Sequence, residues 1–197
     1  PGESVIAQDD DSSEVFFVVS GQVRATQFST SGKEVDFQDL GPGDMFGELS
    51  AIDGEPRSTH VVALSDSLIA TMSKEAFWAA LLGYPSVARH TLRRLTGLVR
   101  LHCERIFEYS TLGVKNRIHA ELLRLARDIA PDQDGEVVIP DPPTHAEIAS
   151  RVATHREAVT RECKHMEALG LIEWRRGHHV IKDVAALERM VKEVRGH

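Results

Sequence analysis

An α+β chain in three stretches is what the sequence predicts: strands first, one long helix in the middle, and helix, turn, helix and hairpin last. Three observations carry this. Residues 1–73 alternate short apolar, β-branched and aromatic runs with glycine turns and show no intervening helical period. Residues 88–109 repeat one stripe at alternating spacings of four and three. Residues 144–182 read as a capped helix, a short turn, a second helix and a basic hairpin.

Val15-Phe16-Phe17-Val18-Val19 is a compact strand closed by Ser20-Gly21, and residues 23–28 alternate apolar with polar side chains. Turn signals recur at Ser31-Gly32, Gly41-Pro42-Gly43-Asp44 and Asp53-Gly54, and residues 61–64 and 68–72 supply two more strands. Short strands without crossover helices pair antiparallel, which predicts an antiparallel β-roll, jelly-roll-like in plan, or a sandwich.

Ser73 then offers an N-cap for a helix, and Pro85-Ser86 restarts the chain into a longer one. In it Ala88, Leu92, Leu95, Val99, His102, Ile106 and Tyr109 share a heptad seam. Such a seam suits a two-helix coiled-coil contact. The plainer alternative is a helix packed on its own domain. Arg89, Arg93, Arg94, Arg100, Glu104 and Arg105 mostly flank the seam, which favours a dimer helix. Leu112-Gly113 ends it, and residues 114–129 form another helix with Ile118, Leu122, Leu125 and Ile129 on one face. A loop at Asp132-Gln133-Asp134-Gly135, a short strand over 137–139 and the stiff connector Pro140-Asp141-Pro142-Pro143 follow. The expected division is residues 1–86 for the roll, 87–110 for the dimerisation helix and 111–197 for the C-terminal domain.

Thr144 and Glu147 form a capping box, with Ile148, Ala149 and Val152 on the inner face of that helix. Ala153-Thr154-His155 makes the turn. Residues 156–169 form the second helix, buried through Val159, Cys163 and Met166 and stopped by Gly170. Residues 171–174, Arg175-Arg176-Gly177-His178 and residues 179–182 read as strand, turn and strand, completing a winged helix-turn-helix. Arg156, Glu157 and Arg161 lie near the exposed N-terminal side of the second helix, the end that enters a major groove. Arginine grips guanine at two points, and glutamate accepts from the amine of cytosine. The plainer reading is a solvated face with a Glu157–Arg161 pair, worth only about 0.2–0.5 kcal/mol. Thr144, His145, His155, Arg175, Arg176 and His178 are candidates for phosphate contacts, which position a domain without reading sequence.

Composition is consistent with this plan. Hydrophobic residues make up 42 %, ordinary for a chain with real cores. The longest apolar runs, at 15–19 and 77–82, fall well short of the roughly 20 residues of a membrane span. No basic, apolar leader is read, so no membrane partner is expected. Cys103 and Cys163 make neither a disulfide framework nor a metal cluster, which suits a reducing cytoplasm. The net charge of −7 sits entirely in residues 1–110, while residues 111–197 are balanced and residues 151–182 are locally basic. An acidic half joined to a basic reader suits a sensor that addresses double-stranded DNA. No nucleophile–base constellation appears, so the chain is not read as an enzyme.

The sensor is legible at Phe46-Gly47-Glu48-Leu49-Ser50, followed by Arg57-Ser58-Thr59. A glycine turn and a forked guanidinium can hold a phosphate, and a carboxylate can accept from a ribose hydroxyl. Gly47, Glu48, Leu49, Arg57 and Ser58 resemble the phosphate-binding cassette of cyclic-nucleotide-binding domains. Cassette, seam helix and winged domain in this order resemble the cyclic-AMP receptor protein family of bacterial transcription regulators. The segment Phe16-Phe17-Val18-Val19-Ser20-Gly21 resembles that family's early strand and turn, and Arg156, Glu157 and Arg161 match its base-reading triplet.

The resemblance implies a homodimer through the 87–110 helix, a TGTGA-like half-site repeated as an inverted pair, and RNA polymerase as a partner. It implies cyclic AMP, or cyclic GMP, as effector and no metal. Glu48 would meet the ribose, and Arg57 and Ser58 the cyclic phosphate. Counting back from Val114-Lys115-Asn116-Arg117-Ile118, the purine-contacting positions fall at His102 and Cys103, where the receptor for cyclic AMP has threonine and serine. Thr59 stands where a small alanine is usual, Ala153 replaces the usual turn glycine, and Glu162 replaces a small or apolar residue. The alternatives are a regulator of the same fold that senses haem-bound gas, another metabolite or nothing, and a regulatory module of a signalling enzyme.

Overall fold

The computed structural model describes residues 1–28, 34–175 and 177–196, the side chain of Glu34 apart. The predicted Ser31-Gly32 turn and Arg176 lie outside them. The chain forms two compact units, Pro1–Arg100 and Leu101–His197.

In the first unit the strands are β1 (Ser4–Ile6), β2 (Val15–Ser20), β3 (Val23–Phe28), β4 (Glu34–Leu40), β5 (Met45–Phe46), β6 (His60–Ala63) and β7 (Leu68–Met72). They build two antiparallel sheets, in the orders β1-β6-β3-β4 and β5-β2-β7. The run of β-branched and aromatic residues puts β2 at the centre of the second sheet. There it pairs Phe16 with Phe46 and Val15 with Met72. Inward residues of both sheets, among them Val18, Val23, Leu40, Phe46 and Val61, form one core. A second core joins Val15, Met45, Ala51 and Phe77.

The expectation that no helix interrupts the strands is corrected. A short helix, α1 (Glu48–Asp53), follows β5 directly. Its six residues are too few to show a helical period, and glycines at both ends hide it among the turns. Gly54, read as a turn, is its left-handed C-cap, at φ 80°.

Ser73 caps α2 (Lys74–Gly83), its hydroxyl accepting from the Ala76 N–H. Pro85 occupies the first turn of α3 (Pro85–Thr111), where a missing N–H costs nothing. The boundary between the two units falls inside α3.

The second unit continues with α4 (Val114–Ile129), β8 (Val137–Pro140), α5 (His145–Arg151), α6 (Arg156–Ala168), β9 (Ile172–Arg175), β10 (His178–Ile181) and α7 (Val184–Arg195). The predicted hairpin is present, and β8 adds to it as a third strand, giving the order β8-β10-β9. Ile118, Leu122, Ile148, Val159, Met166, Ile181 and Leu187 meet in one core. The final helix was not foreseen. Asp183 caps it, its carboxylate accepting from the Ala186 N–H at 2.7 Å, and Val184, Leu187 and Val191 face inward. A cap followed by apolar residues three and four apart is a readable signal.

Candidate functional site

The first site grows from the turn between β5 and α1. Gly47 sits at φ 78°, in the left-handed region. A Cβ there would stand 2.7 Å from Nη1 of Arg57 and 3.0 Å from the carbonyl oxygen of Glu14. Backbone conformation and close approach thus both demand glycine. Glu48 follows as the first residue of α1 and is only 4 % exposed. Burial pushes its carboxyl above the ordinary glutamate range, against the opposing pull of its own backbone N–H, Arg94 and Arg57.

Arg57 enters from the loop between α1 and β6 and is 2 % exposed. Its Nη1 donates to the Gly47 carbonyl at 2.7 Å, Nη2 to the Glu14 carbonyl at 2.8 Å and Nε to the Ser12 hydroxyl at 3.0 Å. The Glu14 carboxylate stands 3.5 Å from Nη2. Beneath the guanidinium lies the Phe16 ring, 5.6 Å from its centre, itself stacked on Phe46. Backbone bonds with Asp9 and Asp10 pin Arg57 in place. Burial lowers its pKa from the usual arginine value, while Glu14, Asp10 and Glu48 oppose the shift.

Gly47, Glu48 and Arg57 are therefore brought together. Leu49 is exposed on α1, Ser58 is exposed with its carbonyl accepting from Gln27 at 2.6 Å, and Thr59 is half-buried beside β6. One carboxylate acceptor and one guanidinium at a glycine turn fit a ribose cyclic phosphate chemically. His102 and Cys103 lie on α3 within the second unit. His102 is half-buried, its pKa lowered by burial and by Arg105, and Cys103 is exposed.

Ser12 and Glu14 escaped the sequence reading, since forty-odd residues separate them from Arg57. So did Arg94, read as flanking the seam, which reaches Asp44 at 3.1 Å and the Met45 carbonyl at 2.5 Å. Arg105, read the same way, turns to Glu121 at 3.7 Å. A heptad pattern identifies a face but not the carboxylates brought to it from other elements.

The second site is the outer face of α6. The Thr144 cap and its reciprocal Glu147 bond are present and start α5. A Schellman arrangement at Gly170 stops α6, with Leu171 N–H on the Met166 carbonyl and Gly170 N–H on that of Glu167. Between the helices Ala153 takes φ 51°. Arg117 braces that turn, donating to the Val152 carbonyl at 3.0 Å and the Ala153 carbonyl at 3.3 Å. Arg156, Glu157 and Arg161 are exposed and line one groove with Thr160 and Lys164. Among the described residues no ion pair joins Glu157 to Arg161. Thr160 and Lys164, four and eight residues beyond Arg156, were legible from helical period alone.

The phosphate candidates divide by environment. Thr144 and His155 are exposed at the starts of the two helices. His145 is half-buried, with Nδ1 2.9 Å from the Thr160 hydroxyl and its ring against Trp174. Burial lowers its pKa, as does Arg156. Arg175 is exposed but pairs with Glu173 at 2.6 Å, and His178 is half-buried on β10. Hydrogen bonds from Arg175 and Lys182 hold the Glu173 carboxyl down at about 2.

Both sites have counterparts among known proteins. Residues 1–84 match the family model of the cyclic nucleotide-binding domain, and residues 116–190 match that of the Crp-like helix-turn-helix domain. The chain is 30 % identical over 193 residues to a cyclic AMP receptor protein of Thermus thermophilus, covering 96 % of this chain and 84 % of that one. It is 25 % identical over 191 residues to a CRP-like cAMP-activated global transcriptional regulator of Mycobacterium tuberculosis, covering 97 % and 85 %. In fold it resembles a CooA variant of Carboxydothermus hydrogenoformans, with a TM-score of 0.84 at 19 % identity, covering 96 % and 84 %. With a nucleotide-binding roll, a long helix and a winged reader in this order, the chain belongs to the cyclic-AMP receptor protein (CRP/FNR) family of transcription regulators.

Proposed function

We propose that this protein is a homodimeric, cytoplasmic transcription regulator whose affinity for a palindromic TGTGA-like site responds to cyclic AMP, or to cyclic GMP. The observation that carries this reading is the meeting of buried Glu48 and buried Arg57 at the left-handed turn of Gly47. A buried carboxylate is unfavourable unless something repays it, and a ribose hydroxyl donating to it does so. Arg57 and Ser58 take the cyclic phosphate, with the Gly47 backbone and Thr59 beside them. His102 and Cys103 are assigned to the purine. The relatives named for cyclic AMP support the choice of nucleotide.

On DNA, Arg156, Glu157 and Arg161 read bases, while Thr144, His145, His155, Arg175, Arg176 and His178 position the domain on phosphates. A palindrome requires the two recognition helices about 34 Å apart, one turn of the duplex, and a ligand switches binding only if it favours that arrangement. RNA polymerase is the partner expected once the site is occupied.

Titration calorimetry with both cyclic nucleotides, followed by gel shift on an inverted TGTGA repeat, tests this. Heat on binding and a nucleotide-dependent shift are expected. Arg161→Ala costs about 1–3 kcal/mol of discrimination against scrambled DNA if its guanidinium grips guanine. Equal affinity of the parent protein for scrambled DNA rules out base reading by this triplet. One observation favours a second reading, a regulator of the same fold that responds to another effector or to none: all three nitrogens of Arg57 are engaged by the protein itself. Operator binding with no heat from either nucleotide selects it.

A further inference from the structure

Arg57 poses a problem of supply. A guanidinium has five N–H donors, and a fork grip on a phosphate uses two nitrogens at once. Here Nε is held by the Ser12 hydroxyl, Nη1 by the Gly47 carbonyl and Nη2 by the Glu14 carbonyl, with the Glu14 carboxylate 3.5 Å from Nη2. Two of these partners are backbone and two are side chains. The backbone carbonyls belong to the residue just before β2 and to the cassette turn just after β5, where the pairing of Phe16 with Phe46 holds the main chain. Ser12, whose hydroxyl also donates to the Asp10 carboxylate at 2.9 Å, and the half-exposed Glu14 carboxylate sit on the segment before β2, where strand pairing does not hold their side chains.

We infer that the side chains of Ser12 and Glu14 are a built-in occupant of the phosphate site, which an incoming phosphate must displace to reach Arg57. This rests on the nucleotide reading above and adds to it a determinant of affinity outside the cassette. The Glu14 carboxylate opposes a nucleotide twice. It shares the guanidinium that the phosphate needs, and it repels the phosphate's negative charge. Nor is it indispensable to the fold, because the bonds that seat Arg57 on Gly47, Glu14, Asp9 and Asp10 all involve backbone atoms. The site is thus tuned to answer only to nucleotide concentrations high enough to win this competition.

The test is titration of cyclic AMP and cyclic GMP into the full chain, its Glu14→Gln and Ser12→Ala variants, and a Glu3→Gln control. Glu3→Gln removes the same charge from an exposed position that does not touch Arg57. Glu14→Gln is expected to bind about three- to tenfold more tightly than the parent, and Ser12→Ala about two- to fivefold, as fits loss of a partly exposed charge-assisted contact. The gain from Glu14→Gln shrinks as salt rises, since it is partly electrostatic. Binding by Glu14→Gln alone, with none by the parent, also supports the proposal. Binding by the parent with unchanged or weaker binding by both variants overturns the occupant and leaves the nucleotide reading intact. An equal gain in Glu3→Gln reduces the effect to net charge and likewise overturns it. No binding by any of the four proteins overturns the nucleotide reading and the occupant with it.

Discussion

Glu48 shows what the candidate site demands of a single residue. Its carboxyl is buried in the first turn of α1, and burial raises its pKa even though Arg94 and Arg57 are near. An acid whose folded pKa lies above its unfolded one is a burden at neutral pH. The fold must then hold a charge that water would solvate better, and the burden lifts only as falling pH protonates it. Glu48→Gln should therefore raise the melting temperature at pH 7, and the gain should vanish once pH drops below the ordinary glutamate range. The same substitution should weaken cyclic-nucleotide binding by about 1.5–3 kcal/mol through loss of a charged acceptor. Thermal melts from pH 4 to 8 and calorimetry check both. A variant less stable than the parent at pH 7 contradicts the electrostatic account. At this scale the sequence shows the spacing of Gly47, Glu48 and Arg57 but not what they touch. Ser12 and Glu14 reach Arg57 only because β2 runs beside β5.

Most elements were legible from their length and caps, α7 excepted, which carries both an Asp183 cap and twelve residues. Ser73, Thr144 and Gly170 mark helix ends where they are found, because each satisfies a backbone group that helical geometry leaves open. The six-residue α1 has no period to display. The helix-turn-helix carries a visible compromise at Ala153, whose φ of 51° places a Cβ in the left-handed region. That conformation costs a non-glycine residue about 1–2 kcal/mol. Glycine's greater freedom in the unfolded chain takes back about 0.5–1 kcal/mol. Ala153→Gly should thus stabilise the domain by about 0.5–1 kcal/mol, read as a higher urea midpoint with an unchanged slope. Arg117 holds the carbonyls of Val152 and Ala153 in either case. A lower midpoint would mean that the alanine methyl contributes packing that outweighs its backbone strain.

For the whole molecule the decisive feature is the seam on α3. Leu92, Val99 and Ile106, seven residues apart, are 64, 62 and 64 % exposed in the single chain. Burying an apolar side chain of this size is worth about 1.5–3 kcal/mol, so a stripe of three supplies a strong drive to pair. For the homodimer proposed above, Val99→Glu should give a monomer in sedimentation velocity with unchanged helix content, and it should abolish binding to a two-half-site operator. A Val99→Glu protein that still sediments as a dimer would place the interface elsewhere. By itself the sequence determined the order of roll, long helix and winged reader, the exposed apolar stripe at Leu92, Val99 and Ile106, and the residue types at both candidate sites. These follow from local periodicity, caps and turn chemistry, which neighbours in the chain impose on one another. Tertiary structure alone decided that Arg94 turns from the seam to Asp44 in the turn before β5, and Arg105 to Glu121 on α4. It also decided that Glu48 is buried and that Ser12 and Glu14 close on Arg57. Ion pairs and burial depend on which distant segments the sheets and helices bring together, and no local pattern records that distance.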